Sequence, residues 1–559
     1  MTINAIHAYV KSNIRIIVGS FFLSSFLTAV LVIGETSAIT IGLSLKDALI
    51  FFPAQFFSLF FIVYGLFFLT SKCQFTLSYA PVSIKHFIIS ATILSFIWVI
   101  NWILFFPGYW TNDSISSLGQ SLGEIELSNH HPVLFTALMG IFVNIGNCIG
   151  NTLYGMGAFT LFTAILFAIS CAYISAWLQS RTRSNYIYLG SLCFFSLNIL
   201  LAQYAITAWK DIYFSPLIVI LCLKIYDIIL SRGEILHSAK TFMALLIISV
   251  LVILFKSNGI FVVIPSLIIL GIACKTIRIR IFSLALLAIL ISSLITGPIY
   301  STLGVNNKAA SESYSIPLQQ IAKTISDDGN IDNNSQIFLE KIFSFQEIKE
   351  VYDPYSVDPV KWADSFNNAF FENNQIEFIY VWFSLMPANL NSYLSAYRDI
   401  TIGYWYPIVD NWLITNNGFR YSSEINSWSN AKWPNNLPFT ESIDGETWVS
   451  YSNTSSALIQ LLNNQRHFPL FNLIYSIGTM ILILLALVTS KIIFKSAKEI
   501  LPLTPLLLLW ATLMIAAPVY CEFRYILAVH LALPILLTMF LYKIPSETKL
   551  HDQKFNKRL

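Results

Sequence analysis

Long apolar runs alternate with short polar connections along most of the chain. A helix needs about 20 apolar residues to cross the hydrocarbon core of a bilayer. Twelve runs come near that length, namely residues 14–33, 48–70, 86–106, 153–178, 186–206, 212–230, 241–255, 259–274, 281–300, 468–493, 500–518 and 523–542. The pattern predicts an all-α polytopic membrane protein with about 12 transmembrane helices, of which the short runs 241–255 and 259–274 are the least clear.

Segment 132–148 is apolar enough to compete as a thirteenth span. If it crossed, Arg181, Arg183 and the basic clusters at 275–280 and 491–498 would face outward, against the positive-inside rule. We therefore predict a juxtamembrane helix, lying on the outer surface or re-entrant. Both termini are then cytoplasmic, the polar stretch from 300 to 468 is extracytoplasmic, and the location is the cell membrane.

Composition agrees with this class: 56% of the residues are apolar and 11% are charged, and the mean hydropathy is +0.66. A net charge of +3 gives no indication of nucleic acid binding, and the eight histidines and seven cysteines lack metal-ligand spacing. No cysteine falls in the long polar loop, so packing is expected to stabilise that loop. The first run lacks a small-residue cleavage site, and we interpret it as a retained anchor.

The predicted organisation has six parts. They are transmembrane helices 1–3 (1–106), a first outer loop with the juxtamembrane helix (107–152), helices 4–9 (153–300), a mixed extracytoplasmic loop domain (301–467), helices 10–12 (468–543) and a basic cytoplasmic tail (544–559).

The first outer loop carries the leading candidate for catalysis. Asp113 follows a span closely and lies beside Tyr109 and Trp110, where partial burial would tune its protonation state for general-base chemistry. Tyr109 and Trp110 are predicted to contact the substrate. The same sequence, TNDSISSLG, is also what a helix N-cap looks like. Capping and catalysis are compatible roles, and both stay open.

Two adjacent histidines, His130 and His131, precede Pro132 at the predicted start of the juxtamembrane helix. Neighbouring side chains in an extended segment point in opposite directions, so at most one should face a site. Such a histidine could contact a phosphate or a sugar hydroxyl, although a surface histidine at the interface is the simpler interpretation.

Three cations lie at the outer ends of spans: Lys210, next to Asp211, then Lys256, and Arg524, next to Tyr525. Ionisable residues at such depth are costly and are usually paired or functional. Each could be a local ion pair or an interfacial anchor, with Glu522 as a neighbour of Arg524. Taken together, they could converge on an anion, and phosphate is the natural candidate.

The long loop is rich in Asn, Gln, Trp and Tyr, as in GYWYP and NSWSNAKWP. Aromatic faces and amides of this kind suit carbohydrate contact, and interfacial aromatic residues would explain part of the pattern equally well. Residues 375–397 are predicted to form one or two amphipathic helices on the bilayer surface rather than a span.

Seven segments carry a family resemblance: PGYWTNDSISSLGQ, NHHPVLFTAL, AWKDIYF, FKSNGIFVVIPSL, SIPLQQIAKTI, YDPYSVDPVKW and FRYIL. With them the chain resembles a family of bacterial polytopic membrane proteins with the GT-C glycosyltransferase architecture, as in protein mannosyltransferases (glycosyltransferase family 39). The likeness covers most of the chain from Pro107 to Tyr525, and the first two spans look like an addition.

The resemblance implies a glycosyltransferase that takes sugar from a polyprenyl-phosphate donor. Asp113 would deprotonate the acceptor hydroxyl or position a divalent cation, Mg²⁺ or Mn²⁺, and Arg524, Lys210 or Lys256 would hold the donor phosphate. Many GT-C enzymes have an acidic pair where this chain has one Asp, so Glu124, Asp211 or the long loop could supply the second carboxylate.

Three functions compete at this point. The first is transfer of a sugar to a surface polysaccharide, teichoic acid, lipid or protein. The second is polymerisation of lipid-linked repeat units, for which more outer arginines are expected. The third is transport or flipping, which predicts polar residues at mid-bilayer and repeated halves.

Overall fold

The computed structural model is mostly helical. It describes residues 3–72, 75–409, 474–494 and 496–545, with the short pieces 419–421, 427–433, 440–443, 446–449, 457 and 460–461. Structural statements below concern these residues. Most of the Trp-rich second half of the long loop lies outside them, as does the basic tail beyond residue 545.

Thirteen helices precede the long loop. They are α1 (Ile3–Glu35), α2 (Leu45–Ile50), α3 (Phe52–Lys72), α4 (Ile84–Leu104), α5 (Asn112–Leu122), α6 (Val133–Cys148), α7 (Thr152–Thr182), α8 (Asn185–Leu197), α9 (Ile199–Ala205), α10 (Asp211–Leu230), α11 (Ala239–Phe255), α12 (Gly259–Ala273) and α13 (Arg278–Leu294). In the loop follow α14 (Tyr300–Thr302), α15 (Ser315–Ser326), α16 (Asn333–Leu339), α17 (Phe345–Val351), α18 (Asp358–Lys361), α19 (Asn368–Asn373), α20 (Gln375–Leu385) and α21 (Leu390–Thr401). The last described helices are α22 (Ile477–Ile493), α23 (Thr504–Ala516) and α24 (Phe523–Leu541).

Each predicted span falls on helical structure where it is described, with residues 468–473 of the run 468–493 outside the described part, but not all of the helices are long enough to cross a bilayer. Eight helical stretches in the described part are long and apolar enough, and α8 with α9, which meet at 64°, would make a ninth as one broken span. The other three, α11, α12 and α22, have 17, 15 and 17 residues. At about 1.5 Å per residue these are shorter than the hydrocarbon core. The count of twelve therefore stays a prediction.

The helices form one bundle around a continuous apolar core. Of the candidate spans, α10 and α24 are the most deeply buried, whereas α3 is the most peripheral. Helices α1 and α3 pack on each other around a small core of their own, which includes Leu27 and Phe67. Exposed Phe, Ile and Leu side chains cover the outer helices, as expected for surfaces that face lipid.

The two ends of the bundle carry different chemistry. At one end the backbone N–H of Ser83, which precedes α4, donates to Ser180 Oγ (2.9 Å), and Lys491 Nζ donates to the carbonyl of Tyr542 (2.8 Å). Helix α4 runs from this end to the first outer loop, and α24 runs back to it from Arg524. The basic residues Arg181 and Lys491 therefore lie opposite Asp113 and Arg524, as the charge pattern predicts, and the membrane side of each end stays a prediction.

The long loop folds into a helical unit with its own apolar core, formed between Leu318 and Tyr393. Residues 375–397 form two helices, α20 and α21, as the sequence predicts, and neither is long enough to span. Apolar side chains on their outer faces, including Ile376, Tyr380 and Leu394, are exposed. This surface suits contact with the bilayer.

This helical unit is hydrogen-bonded to the segment that joins α23 to α24. The N–H of Val357 donates to Pro518 O (3.0 Å), Tyr520 N–H donates to Tyr355 O (2.9 Å), and Gly403 N–H donates to Tyr520 O (3.0 Å). A Cβ at Gly403 would lie 2.3 Å from Cβ of Cys521, so the close approach requires glycine. The loop therefore fixes the start of α24.

Five short strands complete the described structure. They are β1 (Phe75–Thr76), β2 (Phe419–Tyr421), β3 (Thr440–Ile443), β4 (Glu446–Val449) and β5 (Tyr542–Lys543). Strand β1 pairs in parallel with β5 at the end opposite Asp113, with Phe75 beside Tyr542. The other three form an antiparallel sheet in the order β2-β4-β3.

The first outer loop is tied to the connection between α9 and α10. Tyr109 N–H donates to Ile206 O, and Ala208 N–H donates to Tyr109 O, both at 3.0 Å. Gly108 has a φ of +93°, and a Cβ there would lie 2.5 Å from Ile206 O, so only glycine fits this crossing. The two loops consequently run side by side into α5 and α10.

Candidate active site

A narrow pocket opens where α5, α6 and α10 begin. Its wall is formed by Asp113, Ser117, His131, Phe135, Ala208, Trp209 and Lys210. Three of the predicted site residues, Asp113, His131 and Lys210, thus face one space. The hydroxyl of Ser117 is buried and has no hydrogen-bond partner in the described part of the chain, so the wall also offers a polar group to a ligand.

Asp113 lies in the first turn of α5 and does not cap it. Thr111 is the N-cap, and its backbone N–H donates to Ser114 Oγ (3.2 Å). Because the capping role falls to Thr111, the Asp113 carboxylate is available for other contacts. The indole N–H of Trp209 donates to Thr111 Oγ1 (2.6 Å), which locks the start of α5 against the start of α10.

The Asp113 carboxylate pairs with Arg524, since Oδ2 accepts from Nη1 at 2.6 Å. The Asp113 side chain keeps 36% exposure at the pocket, whereas that of Arg524 keeps 14%. Burial acts to raise the pKa of Asp113, but the charges of Arg524 and Lys210 and the hydrogen bond from Arg524 outweigh it and hold that pKa well below its usual range. Asp113 is therefore ionised at neutral pH.

Arg524 itself is fixed by aromatic rings. Its guanidinium carbon lies 4.5 Å from the centroid of Trp209 and 5.2 Å from that of Tyr525, and a guanidinium over an aromatic face is stabilised by the ring quadrupole. Its Nε has no hydrogen bond among the described residues and lies 3.7 Å from Oε1 of Glu522.

Asp211 pairs with Lys256 at 2.6 Å, not with its neighbour Lys210. The local pair considered from the sequence is therefore wrong. The Asp211 side chain is fully buried, and Lys256 Nζ also lies 4.3 Å from the ring centroid of Tyr525. The ring of Tyr525 thus contacts both the Lys256 ammonium and the Arg524 guanidinium.

Lys210 is left without a carboxylate partner in the part of the chain that the structure describes. It is half-buried and lines the pocket. A cation that lines a pocket and has no ion pair can bind an anionic ligand without first breaking a contact.

One of the two histidines faces the pocket, as the extended geometry predicts. His131 is buried in the pocket wall, whereas His130 is exposed, and their rings make an edge-to-face contact at 4.7 Å. Burial, helped by the positive charge of Lys210, lowers the pKa of His131 to about 3. The imidazole is therefore neutral and can donate one hydrogen bond and accept another.

Glu522 is the residue that sequence reasoning passed over as a second carboxylate. It directly precedes α24, is buried, and its backbone N–H donates to the hydroxyl of Tyr404 (3.3 Å). Burial raises the pKa of Glu522 to about 7, with Arg524 acting in the opposite direction. Its proximity to Arg524 in CEFRY was the available signal, because Glu522 directly precedes the span in which Arg524 is the second residue.

Other predicted site residues lie away from the pocket. Tyr109 and Trp110 are buried in the apolar core, and the indole N–H of Trp110 donates to Pro107 O (3.2 Å). We correct their expected substrate contact to a packing role. Glu124, an alternative second carboxylate, accepts from the backbone N–H of Asn430 (2.6 Å) and is not part of the pocket wall.

The described residues do not favour a divalent cation. They contain no group of three or more His, Cys, Asp or Glu side chains that could hold a metal, and Asp113 is engaged by Arg524. Metal binding at Asp113 stays a prediction from the resemblance, and no step below passes through a metal.

The fold and this charged cluster define a predominantly helical, polytopic membrane protein with a polar site at one end of its helices. Residues 123–554 match the model of DUF6020, a family of unknown function, and the chain belongs to that family. No curated protein and no solved structure matches the chain. The matched region includes His131, Lys210, Glu522 and Arg524 but begins after Asp113.

Proposed function

We propose that the protein is a membrane glycosyltransferase of the GT-C type, which transfers a sugar from a polyprenyl-phosphate donor to an acceptor on the extracytoplasmic face. The observation that carries the proposal is that Asp113, His131 and Lys210, from three separate segments, line one pocket, while Arg524 from a fourth segment pairs with Asp113. An ionised carboxylate beside two cations and a neutral imidazole is what hydroxyl activation next to a bound phosphate requires.

The donor phosphate would be bound by Lys210 and Arg524. Lys210 supplies a charge with no competing carboxylate among the described residues, and Arg524 supplies a planar group of N–H donors suited to phosphate oxygens. The rings of Trp209 and Tyr525 hold the Arg524 guanidinium in place, so little side-chain entropy is lost on binding.

In the transfer step, an acceptor hydroxyl gives its proton to Asp113 while its oxygen bonds to the anomeric carbon of the sugar. The bond from that carbon to the phosphate oxygen breaks, and its electron pair leaves with the polyprenyl phosphate. Arg524 and Lys210 then balance the added negative charge on the leaving group.

The Asp113–Arg524 pair connects donor binding to this step. While Arg524 donates to Asp113, the low pKa of the carboxylate makes it a weak base. A donor phosphate competes for the same N–H group, and its negative charge raises the proton affinity of Asp113. Asp113 would thus become an effective base only when a donor is bound.

The long loop would act as a lid and acceptor surface. Its helical unit holds the segment 518–520 through Tyr355 and Val357, directly before Glu522 and Arg524. An acceptor bound against the loop would therefore be close to the pocket. Surface polysaccharide, teichoic acid, lipid or protein are the acceptor classes compatible with this position.

The test uses a gene-deletion strain that carries the wild type, D113N or the control D364N. The surface glycans of these strains are compared, and sugar transfer from polyprenyl-phosphate donors is measured in their membranes. Asp364 is exposed on the long loop. We expect the wild type and D364N to restore a missing modification and D113N to lose at least about 100-fold in rate, as for a general base. Full transfer by D113N would refute its catalytic role. Unchanged glycans, with no transfer by the wild type from any donor, would refute the proposed function and favour transport.

A further inference from the structure

Six ionisable groups share one cluster that begins in the pocket wall, at Asp113 and Lys210, and continues into the protein. Three are cations, Lys210, Lys256 and Arg524, and three are carboxylates, Asp113, Asp211 and Glu522. Asp113 and Asp211 each have a cation at 2.6 Å. Glu522 is different, because its closest cation contact is 3.7 Å and is to a guanidinium already bonded to Asp113.

We propose that Glu522 takes up a proton from solution when a phosphate group binds to Arg524 and Lys210. This inference rests on the phosphate site proposed above. Binding of the phosphate and protonation of Glu522 are then one coupled event.

The charge balance of the cluster supports the coupling. With Glu522 ionised, its carboxylate and those of Asp113 and Asp211 already offset the three cations, so an incoming phosphate adds an unbalanced negative charge. With Glu522 protonated, three cations face two carboxylates, and the cluster matches a singly charged phosphodiester. Uncompensated charge is expensive in such a buried place.

The surroundings of Glu522 allow it to change its protonation state. Its side chain is 10% exposed, and burial raises its pKa to about 7, near the working range. The titratable and charged groups that face it from the packed elements are Asp113, Tyr204, Asp211, Lys256, Tyr404, Arg524 and Tyr525. Of the carboxylates among them, Asp113 and Asp211 each have a cation at 2.6 Å and the pKa of Asp113 lies well below its usual range, which leaves Glu522 as the group that responds.

The consequence is a pH-dependent affinity. Above the pKa of Glu522, the protonated fraction falls tenfold for each pH unit, and the apparent affinity for a phosphodiester falls by up to about the same factor. Because a phosphodiester does not titrate near neutral pH, any proton taken up on binding comes to the protein.

The experiment is calorimetry of the full-length protein in detergent with farnesyl methyl phosphate, a short prenyl phosphodiester, in buffers of different ionisation enthalpy between pH 6 and 8.5. We expect wild type and the control E377Q, whose glutamate is exposed on α20, to take up a fraction of a proton near pH 7 to 8 and to lose affinity as pH rises. E522Q, which imitates the protonated state, should take up none and keep an affinity that does not change with pH.

The outcomes separate this inference from the proposed function. Proton uptake that persists in E522Q, or that disappears in H131Q instead, would overturn the role of Glu522. Tight binding by wild type without proton uptake would also overturn it, while leaving the phosphate site intact. No binding by wild type at any pH would overturn both. If E522Q does not fold, the wild-type protein still tests the inference, because phosphodiester binding without proton uptake by wild type refutes it.

Discussion

Oδ2 of Asp113 lies 2.6 Å from Nη1 of Arg524, although 411 positions separate the two residues along the chain. The contact joins the first outer loop to the last described span. It exists because the Tyr109–Ile206 backbone contact places the start of α5 beside that of α10, against which α24 packs. The pair is therefore a product of the whole bundle, and several measurable consequences follow from it and its surroundings.

Loss of Lys210 should weaken phosphate binding, whereas loss of Arg524 should weaken both phosphate binding and folding stability. The variant K210M should weaken farnesyl methyl phosphate binding by roughly tenfold, the value of one charge-assisted contact of about 1.4 kcal/mol. Its unfolding temperature should change little, because no carboxylate in the described part of the chain loses a partner. R524M should lower both affinity and stability, since it strands the Asp113 carboxylate. Binding calorimetry and thermal unfolding measure the two effects. K240M, at an exposed lysine, is the control, and equal unfolding temperatures for K210M and R524M would contradict the assignment.

Removing one partner of the buried pair Asp211–Lys256 should destabilise the protein more than removing both. D211N leaves the Lys256 ammonium without its partner and should destabilise the protein by about 3–5 kcal/mol, whereas D211N with K256M should recover much of that loss. Chemical unfolding of wild type, both single variants and the double variant gives the coupling energy. Additive losses would show that the two side chains do not stabilise each other.

His131 should make the fold sensitive to acid. Burial lowers its pKa from 6.5 to about 3, so the folded state binds the proton less tightly than the unfolded chain does. The associated stability is full above pH 6.5 and is lost progressively as the pH falls toward about 3. Thermal unfolding as a function of pH should show a shallower slope for H131Q than for wild type. H237Q, at an exposed histidine, should keep the wild-type slope, and an unchanged slope in H131Q would refute the burial argument.

Gly403 should be intolerant of a side chain. In G403A the new Cβ would meet Cβ of Cys521 at 2.3 Å and the carbonyl of Tyr520 at 2.5 Å, which must displace the segment before Arg524. We expect a loss of about 1–3 kcal/mol in stability together with weaker phosphodiester binding. G190A is the matched control, because nothing lies within 4 Å of a Cβ there. Wild-type behaviour of G403A would show that this close packing is not required.

The proposed topology places the site outside the cell. In a cysteine-free background, a membrane-impermeant maleimide should label E377C in right-side-out vesicles without permeabilisation. K240C, in the first turn of α11, should react only once the vesicles are opened. The reverse pattern would invert the orientation and put Asp113 on the cytoplasmic face.

Part of the site could be predicted from sequence because a charged side chain near the bilayer has a high free-energy cost and is therefore uncommon. Lys210, Lys256 and Arg524 are conspicuous at the ends of apolar runs, and Asp113 is conspicuous in a loop without Lys or Arg. Their pairing could not be predicted. Sequence neighbours pointed to Lys210 with Asp211, whereas helix geometry turns adjacent side chains to different faces and leaves Asp211 with Lys256.

For Tyr109 and Trp110, the sequence predicts a contact that the tertiary structure does not make. Next to Asp113 in the sequence, they resemble contact residues, yet the backbone crossing at Gly108 turns both into the core. Glu522 was passed over because its proximity to Arg524 suggested only a local ion pair, and its burial depends on Tyr404 and on the contacts of the long loop with segment 518–520.

The sequence by itself determined the class of protein, the approximate positions of its helices and the small set of charged residues on which the proposed chemistry depends, because hydrophobic length and the cost of buried charge are local properties of the chain. The tertiary structure alone decided which carboxylate meets which cation, which histidine faces the pocket and where the long loop holds α24. Those relationships depend on how distant helices pack, and packing is a property of the whole chain rather than of any one segment.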